Sequence, residues 1–187
     1  IPAARLAPAT EDELASLLKS TRDMNMRPVG SSHSFSPLIP TDGKIVSLSN
    51  FSGLLSHDAK TLQAEFGAGT PMSQMGEPLL KVGQALPNMA DIDYQTLGGA
   101  IATSTHGTGP KFGSYSSNVI GLRMVTADGK IVDHVEAPIT TGSAETGNRF
   151  FSLAADSRLE LAFAVMRQDI GLWNGYVLNH ERDALFE

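Results

Sequence analysis

Glycine is unevenly distributed in this chain, and that distribution constrains the fold more than any other feature. Of 187 residues, 18 are Gly and 10 are Pro. So many turn formers predict short strands and helices joined by tight turns. The densest segment is Thr96-Leu97-Gly98-Gly99-Ala100-Ile101-Ala102-Thr103-Ser104-Thr105-His106-Gly107. Paired glycines let a backbone approach a flat or anionic ligand closely. A Gly-Gly before Ala-Ile-Ala is equally a close packing site for a helix. A second small-residue loop, Gly30-Ser31-Ser32-His33-Ser34, lies upstream. Such a loop can aim several backbone N–H groups at one anion. It is also an ordinary solvated turn by composition.

The rest of the composition narrows the function classes. The length fits one domain, or a domain with an appendage. Twenty acidic residues against 14 Lys plus Arg give a net charge of −6. That balance disfavours nucleic acid and anionic membranes, which need clustered cations. No apolar run approaches a membrane span of ~20 residues. The absence of Cys excludes disulfides, Fe–S clusters, thiolate zinc and cysteine nucleophiles. The five His residues show no metal-ligand spacing, so no metal is expected. Ile1-Pro2 opens without Met, which implies a start that lies upstream or was removed.

Periodicity gives a coarse map. Thr10-Glu11-Asp12-Glu13 is a capping box, and Leu14, Leu17 and Leu18 follow at helical spacing, predicting a helix over 10–23. Residues 27–30 read as a short extended piece, and 44–48 and 61–66 as strands. Thr70-Pro71 reads as a helix start, with Met72, Met75, Leu79 and Leu80 on one face and an end near Gly83. The Met residues at 72, 75 and 89 read as core filler. Residues 119–126 and 130–135 flank Asp128-Gly129 and predict a hairpin. A weakly periodic stretch predicts a helix over 149–169. Strands and helices mix without regular βαβ alternation, so the expected class is α+β.

The common signatures fail. Gly67-Ala68-Gly69-Thr70-Pro71-Met72 starts like a dinucleotide fingerprint, but Met72 stands where the third Gly belongs. No P-loop, His-Glu-x-x-His or Gly-x-Ser-x-Gly is present. The two small-residue loops together suit a pyrophosphate-bearing cofactor held by main chain. Thr96 as the cap of a short helix would add positive partial charge there.

The segment Arg27-Pro28-Val29-Gly30-Ser31-Ser32-His33-Ser34-Phe35-Ser36-Pro37, then Thr41-Asp42-Gly43, resembles the flavin-attachment segment of the sugar-lactone oxidases. That family holds the L-gulonolactone and D-arabinonolactone oxidases and the related alditol oxidases, FAD proteins of the vanillyl-alcohol-oxidase type. Ala85-Leu86-Pro87-Asn88 and residues 96–107 resemble its second FAD loop, and residues 119–132 continue the match. The resemblance implies an α+β FAD-binding domain of two subdomains over residues 1–140. It implies FAD, held by Gly30, Ser31, Ser32, His33, Ser34, Gly98, Gly99, Ala102, Thr103, His106 and Gly107. His33 matches the histidine bonded to the flavin 8α-methyl in many members. A sugar lactone or polyol is the implied small-molecule partner, oxidised by hydride transfer to flavin.

Two departures stand out. Ser32 stands where Gly is commoner before the His. Family members also carry a cap domain over the flavin ring, with a later His-Trp-Gly-Lys-like segment, and neither is present here. Residues 141–187 read as a linker and tail, with 163–169 and 171–176 resembling the family's C-terminus. No catalytic base can be named, because its usual location is missing. The alternative is therefore a non-catalytic or truncated FAD-binding module, or a domain whose cap comes from a second chain. Nothing in the sequence assigns an oligomeric state, electron acceptor or compartment.

Overall fold

The computed structural model describes residues 1–21, 24–34, 39–108 and 112–136. The expected helix over 149–169, the tail and the proposed division at residue 140 lie outside these residues. So do Phe35, Ser36 and Pro37.

The chain opens with strand β1 (Ala4–Leu6) and helix α1 (Glu11–Ser20). Thr10 caps α1 as expected: it is extended, and its hydroxyl accepts from the Glu13 N–H at 3.1 Å. The Glu13 carboxylate reaches back one residue further than the usual box and accepts from the Ala9 N–H at 2.7 Å. Glu11, Asp12 and Glu13 crowd the positive end of the helix dipole. Leu18 is buried, and Leu14, Ala15 and Leu17 are half-buried beside it.

Strands β2 (Met26–Val29) and β3 (Lys44–Ser47) follow, and the sheet order is β1-β3-β2 with both pairings parallel. Strand β3 is central, and its Ile45 and Val46, which point to opposite faces, are both buried. The Ser-rich loop leaves the carboxyl end of β2. Loops at that end of a parallel sheet are where open α/β sheets bind ligands.

Strands β4 (Leu54–Asp58) and β5 (Gln63–Phe66) form an antiparallel hairpin. The pattern of residues 54–58 does not announce β4, because most of its side chains face solvent. β1 is likewise only three residues long. The helix expected from Thr70 is split into a 3-10 turn, Met72–Gln74, and helix α2, Gly76–Lys81. Pro71 does not open it. Pro71 stays extended and bridges to Thr96 on a distant segment. The Thr70 hydroxyl is committed elsewhere, as described below.

Helix α3 (Leu97–Ala102) and a 3-10 turn at Tyr115–Asn118 precede strands β6 (Gly121–Val125) and β7 (Ile131–Glu136). The expected hairpin is present. Gly129 alone has positive φ, at +76°, and its N–H bonds the Thr126 carbonyl. The turn is therefore type I followed by a left-handed glycine rather than a type I′ pair.

Two buried clusters hold this together. One joins Leu18, Met26, Val46 and Val125, so the late β6 closes onto the N-terminal sheet and α1. The other joins Met72, Met75, Leu79, Ala100 and Tyr115. Met72 and Met75 fill the core as expected, whereas Met89 is 44% exposed.

Candidate functional site

The first predicted loop is a row of exposed small residues. Gly30, Ser31, Ser32, His33 and Ser34 all face solvent. Ser32 adopts φ +59°, the left-handed region that Gly occupies without cost. None of Ser31, Ser32, His33 or Ser34 hydrogen-bonds to another described residue. Their amides and three hydroxyls are therefore available to a ligand.

The fold brings this loop to the second one. A Cβ on Gly30 would lie 2.4 Å from the Thr96 Oγ1, so the loop abuts the cap of α3. The imidazole of His33 stacks on the ring of Tyr94, with centroids 6.1 Å apart and planes 12° from parallel. These contacts join positions more than 60 residues apart.

The amino end of helix α3 is taken up by the chain itself. Thr96 does cap it, accepting from the Gly99 N–H at 3.4 Å. The Leu97 N–H donates to the Thr70 carbonyl and the Gly98 N–H to the Ala68 carbonyl, each at 2.8 Å. The first three amides are thus used inside the chain, and none is left for an anion. Gly98 is small because Ala68 is there: an added Cβ would meet the Ala68 carbonyl oxygen at 3.2 Å. Gly99 likewise faces Thr96, with 3.1 Å to its Oγ1.

The helix ends in a left-handed cap. The Thr105 N–H bonds the Ala100 carbonyl and the Ser104 N–H the Ile101 carbonyl, with Ser104 at φ +52°. That is a Schellman pairing with Ser where Gly is usual. Thr103 Oγ1 donates to the Gly99 carbonyl at 3.0 Å. Its single proton is then spent, so in the 3.0 Å pair with Thr105 the Thr105 hydroxyl is the donor. Thr105 in turn accepts from Gln95 Nε2 at 2.9 Å. A directed chain therefore runs from Gln95 through Thr105 and Thr103 to the helix backbone.

Ala102 is half-buried, and Thr103 and His106 are exposed. His106 Nδ1 lies 2.8 Å from the Gly107 carbonyl oxygen, which can only accept, so Nδ1 carries the proton, and Nε2 bonds to no described residue. Gly107 is a packing glycine, since a Cβ would meet the Met89 carbonyl oxygen at 2.1 Å. Asn88 Nδ2 adds a bond to the Thr108 carbonyl at 3.1 Å, so residues 85–90 lean on residues 107–108.

Two contributors lay outside the sequence-predicted set. Tyr94 has no motif around it. Thr70 is fully buried, and its Oγ1 accepts from the Gly53 N–H at 2.9 Å and donates to the Gly67 carbonyl at 2.6 Å. Gly67 and Gly69, which began the failed fingerprint, sit where residues 48–52 pass: their Cβ positions fall 2.3 Å from the Phe51 and 1.9 Å from the Leu48 carbonyl oxygens. A thiol-free, cation-free donor set remains at the site, and its uncommitted N–H and O–H groups fit a diphosphate cofactor such as FAD. Among the described residues no group of three or more His, Asp or Glu side chains could hold a metal ion. Among them, too, no helix is long and apolar enough to cross a membrane.

Comparisons with known proteins agree. An L-gulono-1,4-lactone dehydrogenase of Mycobacterium tuberculosis is 33% identical over 150 residues, covering 76% of this chain and 35% of its own length. An L-gulonolactone oxidase of Bos taurus is 32% identical over 132 residues, covering 70% of this chain and 30% of the relative. A D-arabinono-1,4-lactone oxidase of Eremothecium gossypii is 31% identical over 131 residues, covering 67% of this chain and 25% of the relative. The chain thus spans between 25% and 35% of the length of these relatives. Among solved structures, an alkyldihydroxyacetonephosphate synthase superposes with a TM-score of 0.62 at 20% identity, over 77% of this chain and 28% of that one. That likeness is one of fold. The family model of the FAD binding domain matches residues 2–134, and with both loops inside that span the chain belongs to the FAD-binding domain family that includes the sugar-lactone oxidases.

Proposed function

We propose that this chain forms the flavin-binding part of an FAD-dependent oxidoreductase acting on a CH–OH carbon of a sugar lactone or alditol. The approach of Gly30 to Thr96 and of His33 to Tyr94, which joins the two loops, carries the reading. The relatives named as lactone dehydrogenase and oxidases give the substrate class. When bound, FAD supplies the redox chemistry by taking a hydride from the substrate carbon.

The protein's own part is binding and orientation. The amides and hydroxyls of Ser31, Ser32 and Ser34 would hold the pyrophosphate, because no acceptor among the described residues competes for them. Gly98, Gly99 and Gly107 keep the second loop tight against its neighbours, while Ala102, Thr103 and His106 line the cofactor side. His33 would hold the flavin covalently through its 8α-methyl, using a neutral imidazole nitrogen.

Reconstitution of the full chain with FAD tests this. The expected result is flavin absorbance that stays with the protein on gel filtration, with a mass increase equal to FAD less two hydrogens. His33→Ala should keep reversible binding and lose the mass increase. A chain that never retains flavin overturns the proposal.

A second reading is a non-catalytic FAD module. The two part under anaerobic conditions. L-gulono-1,4-lactone or an alditol should bleach the bound flavin on the first reading and leave it oxidised on the second.

A further inference from the structure

We infer that Tyr94 is the positioning residue for His33, fixing the plane of the imidazole while leaving both ring nitrogens free to react. The inference rests on the reading of His33 as the flavin attachment point.

The ring of His33 has no other restraint among the described residues. It makes no hydrogen bond to any of them, its side chain is exposed, and so are its neighbours Ser31, Ser32 and Ser34. Left alone, an exposed imidazole rotates freely about its last side-chain torsion. The stack on Tyr94 narrows that freedom. Its centroid separation of 6.1 Å and interplanar angle of 12° describe an offset parallel pair.

Tyr94 is a large aromatic with no other evident role. It is 70% exposed, so it does not serve the core. Its hydroxyl bonds to no described residue. Its backbone, by contrast, is fixed on both sides. The Asp93 carbonyl accepts from the Ser73 N–H at 2.9 Å, and the Gln95 carbonyl accepts from the Met72 N–H at 2.8 Å. Met72 is fully buried, so the ring stands on a shelf anchored to the core.

The choice of a stack over a hydrogen bond matters chemically. An imidazole lone pair lies in the ring plane. A hydrogen bond would orient the ring by occupying one nitrogen. Contact through the ring face orients it and occupies neither. In the attachment, an imidazole N–H and one C–H of the 8α-methyl are exchanged for one N–C bond. Two electrons pass through the flavin to dioxygen, which takes up the two protons and leaves as hydrogen peroxide. The aligned ring enters that exchange without first having to stop rotating. Pairing of this kind biases the ring by roughly two- to tenfold.

Two measurements on the full chain test the inference. The first is NMR of the His33 ring protons without flavin. Tyr94→Ala should move them downfield by removing the ring current, and Tyr94→Phe should leave them near their original position. Unchanged resonances in Tyr94→Ala overturn the inference. The second is the rate at which FAD becomes acid-stable in aerated buffer. At saturating FAD, Tyr94→Ala should slow it about two- to tenfold, and Tyr94→Phe should restore it. An equal rate in Tyr94→Ala also overturns the inference. If the unsubstituted chain never gains acid-stable flavin, the attachment reading fails instead, and the NMR result alone decides what Tyr94 does to His33. Circular dichroism confirms that each variant folds.

Discussion

At the scale of single residues, Thr70 and Gly30 connect the core to the site. Thr70 is buried with its one hydroxyl doing two jobs, accepting from Gly53 and donating to Gly67. Its carbonyl also receives the first amide of α3. Thr70→Val keeps the shape and leaves the half-buried Gly53 N–H without its partner, while the Gly67 carbonyl keeps the bond from the Thr70 N–H. The expected loss is about 1–2 kcal/mol by urea unfolding, the lower part of the roughly 1–3 kcal/mol that an orphaned polar group costs when fully buried. Gly30 has a different constraint. A methyl there would push the Thr96 hydroxyl away from the Gly99 N–H. Gly30→Ala should therefore cost about 1 kcal/mol, the usual worth of an N-cap. It should weaken FAD binding more than it lowers stability, because the displaced group stands between the two loops. Isothermal titration against the melting temperature would separate the two effects.

Among the elements, the β6–β7 hairpin is the one most exposed to pH. Asp128 sits in its turn, bridged to Lys130 at 2.8 Å and hydrogen-bonded by the Thr126 hydroxyl. The Lys130 ammonium first, and the Thr126 hydroxyl second, hold its carboxyl well below the ordinary value of 3.8. A depressed carboxylate stabilises the fold above its unfolded pKa, and that contribution fades as pH falls toward the folded one. Asp128→Asn should therefore melt below the original protein at neutral pH. The gap should close as pH falls under 3.8. A gap that widens in acid would refute this assignment. The same hairpin reaches back to α1, where Arg123 grips Glu11 through two bonds of 2.7 Å. Both side chains are partly exposed, so the pair adds direction to the packing more than energy.

Across the whole molecule, the site lies where residues far apart in sequence meet. Phosphate recognition by neutral donors, as proposed, would reconcile a chain of net charge −6 with a diphosphate cofactor. A ligand that binds only the folded state raises its stability by about 2.7 kcal/mol at a hundredfold excess over Kd. FAD should thus raise the melting temperature in a concentration-dependent way. Riboflavin, which lacks the diphosphate, should raise it far less if Ser31, Ser32 and Ser34 read that group. Equal shifts for the two would place recognition on the flavin ring instead.

Local chemistry made much of this protein legible in advance. The Thr10 cap, the helix behind it, the Asp128-Gly129 turn and the Thr96 cap depend on neighbours within a few residues, so sequence patterns register them. The two loops were visible as small-residue runs, and their order identified a family. Three things needed the tertiary structure. Pro71 reads as a helix start, but a bridge to Thr96 holds it extended. Strand β4 carries no alternation, because it is defined by pairing with β5 rather than by a buried face. Gly98 reads as an opening for a ligand, yet its neighbour is the Ala68 carbonyl. Tyr94 is the sharpest case. Nothing adjacent marks it, and its meaning comes from His33, 61 positions earlier, laid against it by the fold. Composition and spacing determine short-range hydrogen bonds. Which distant surfaces touch is decided only when the two cores close.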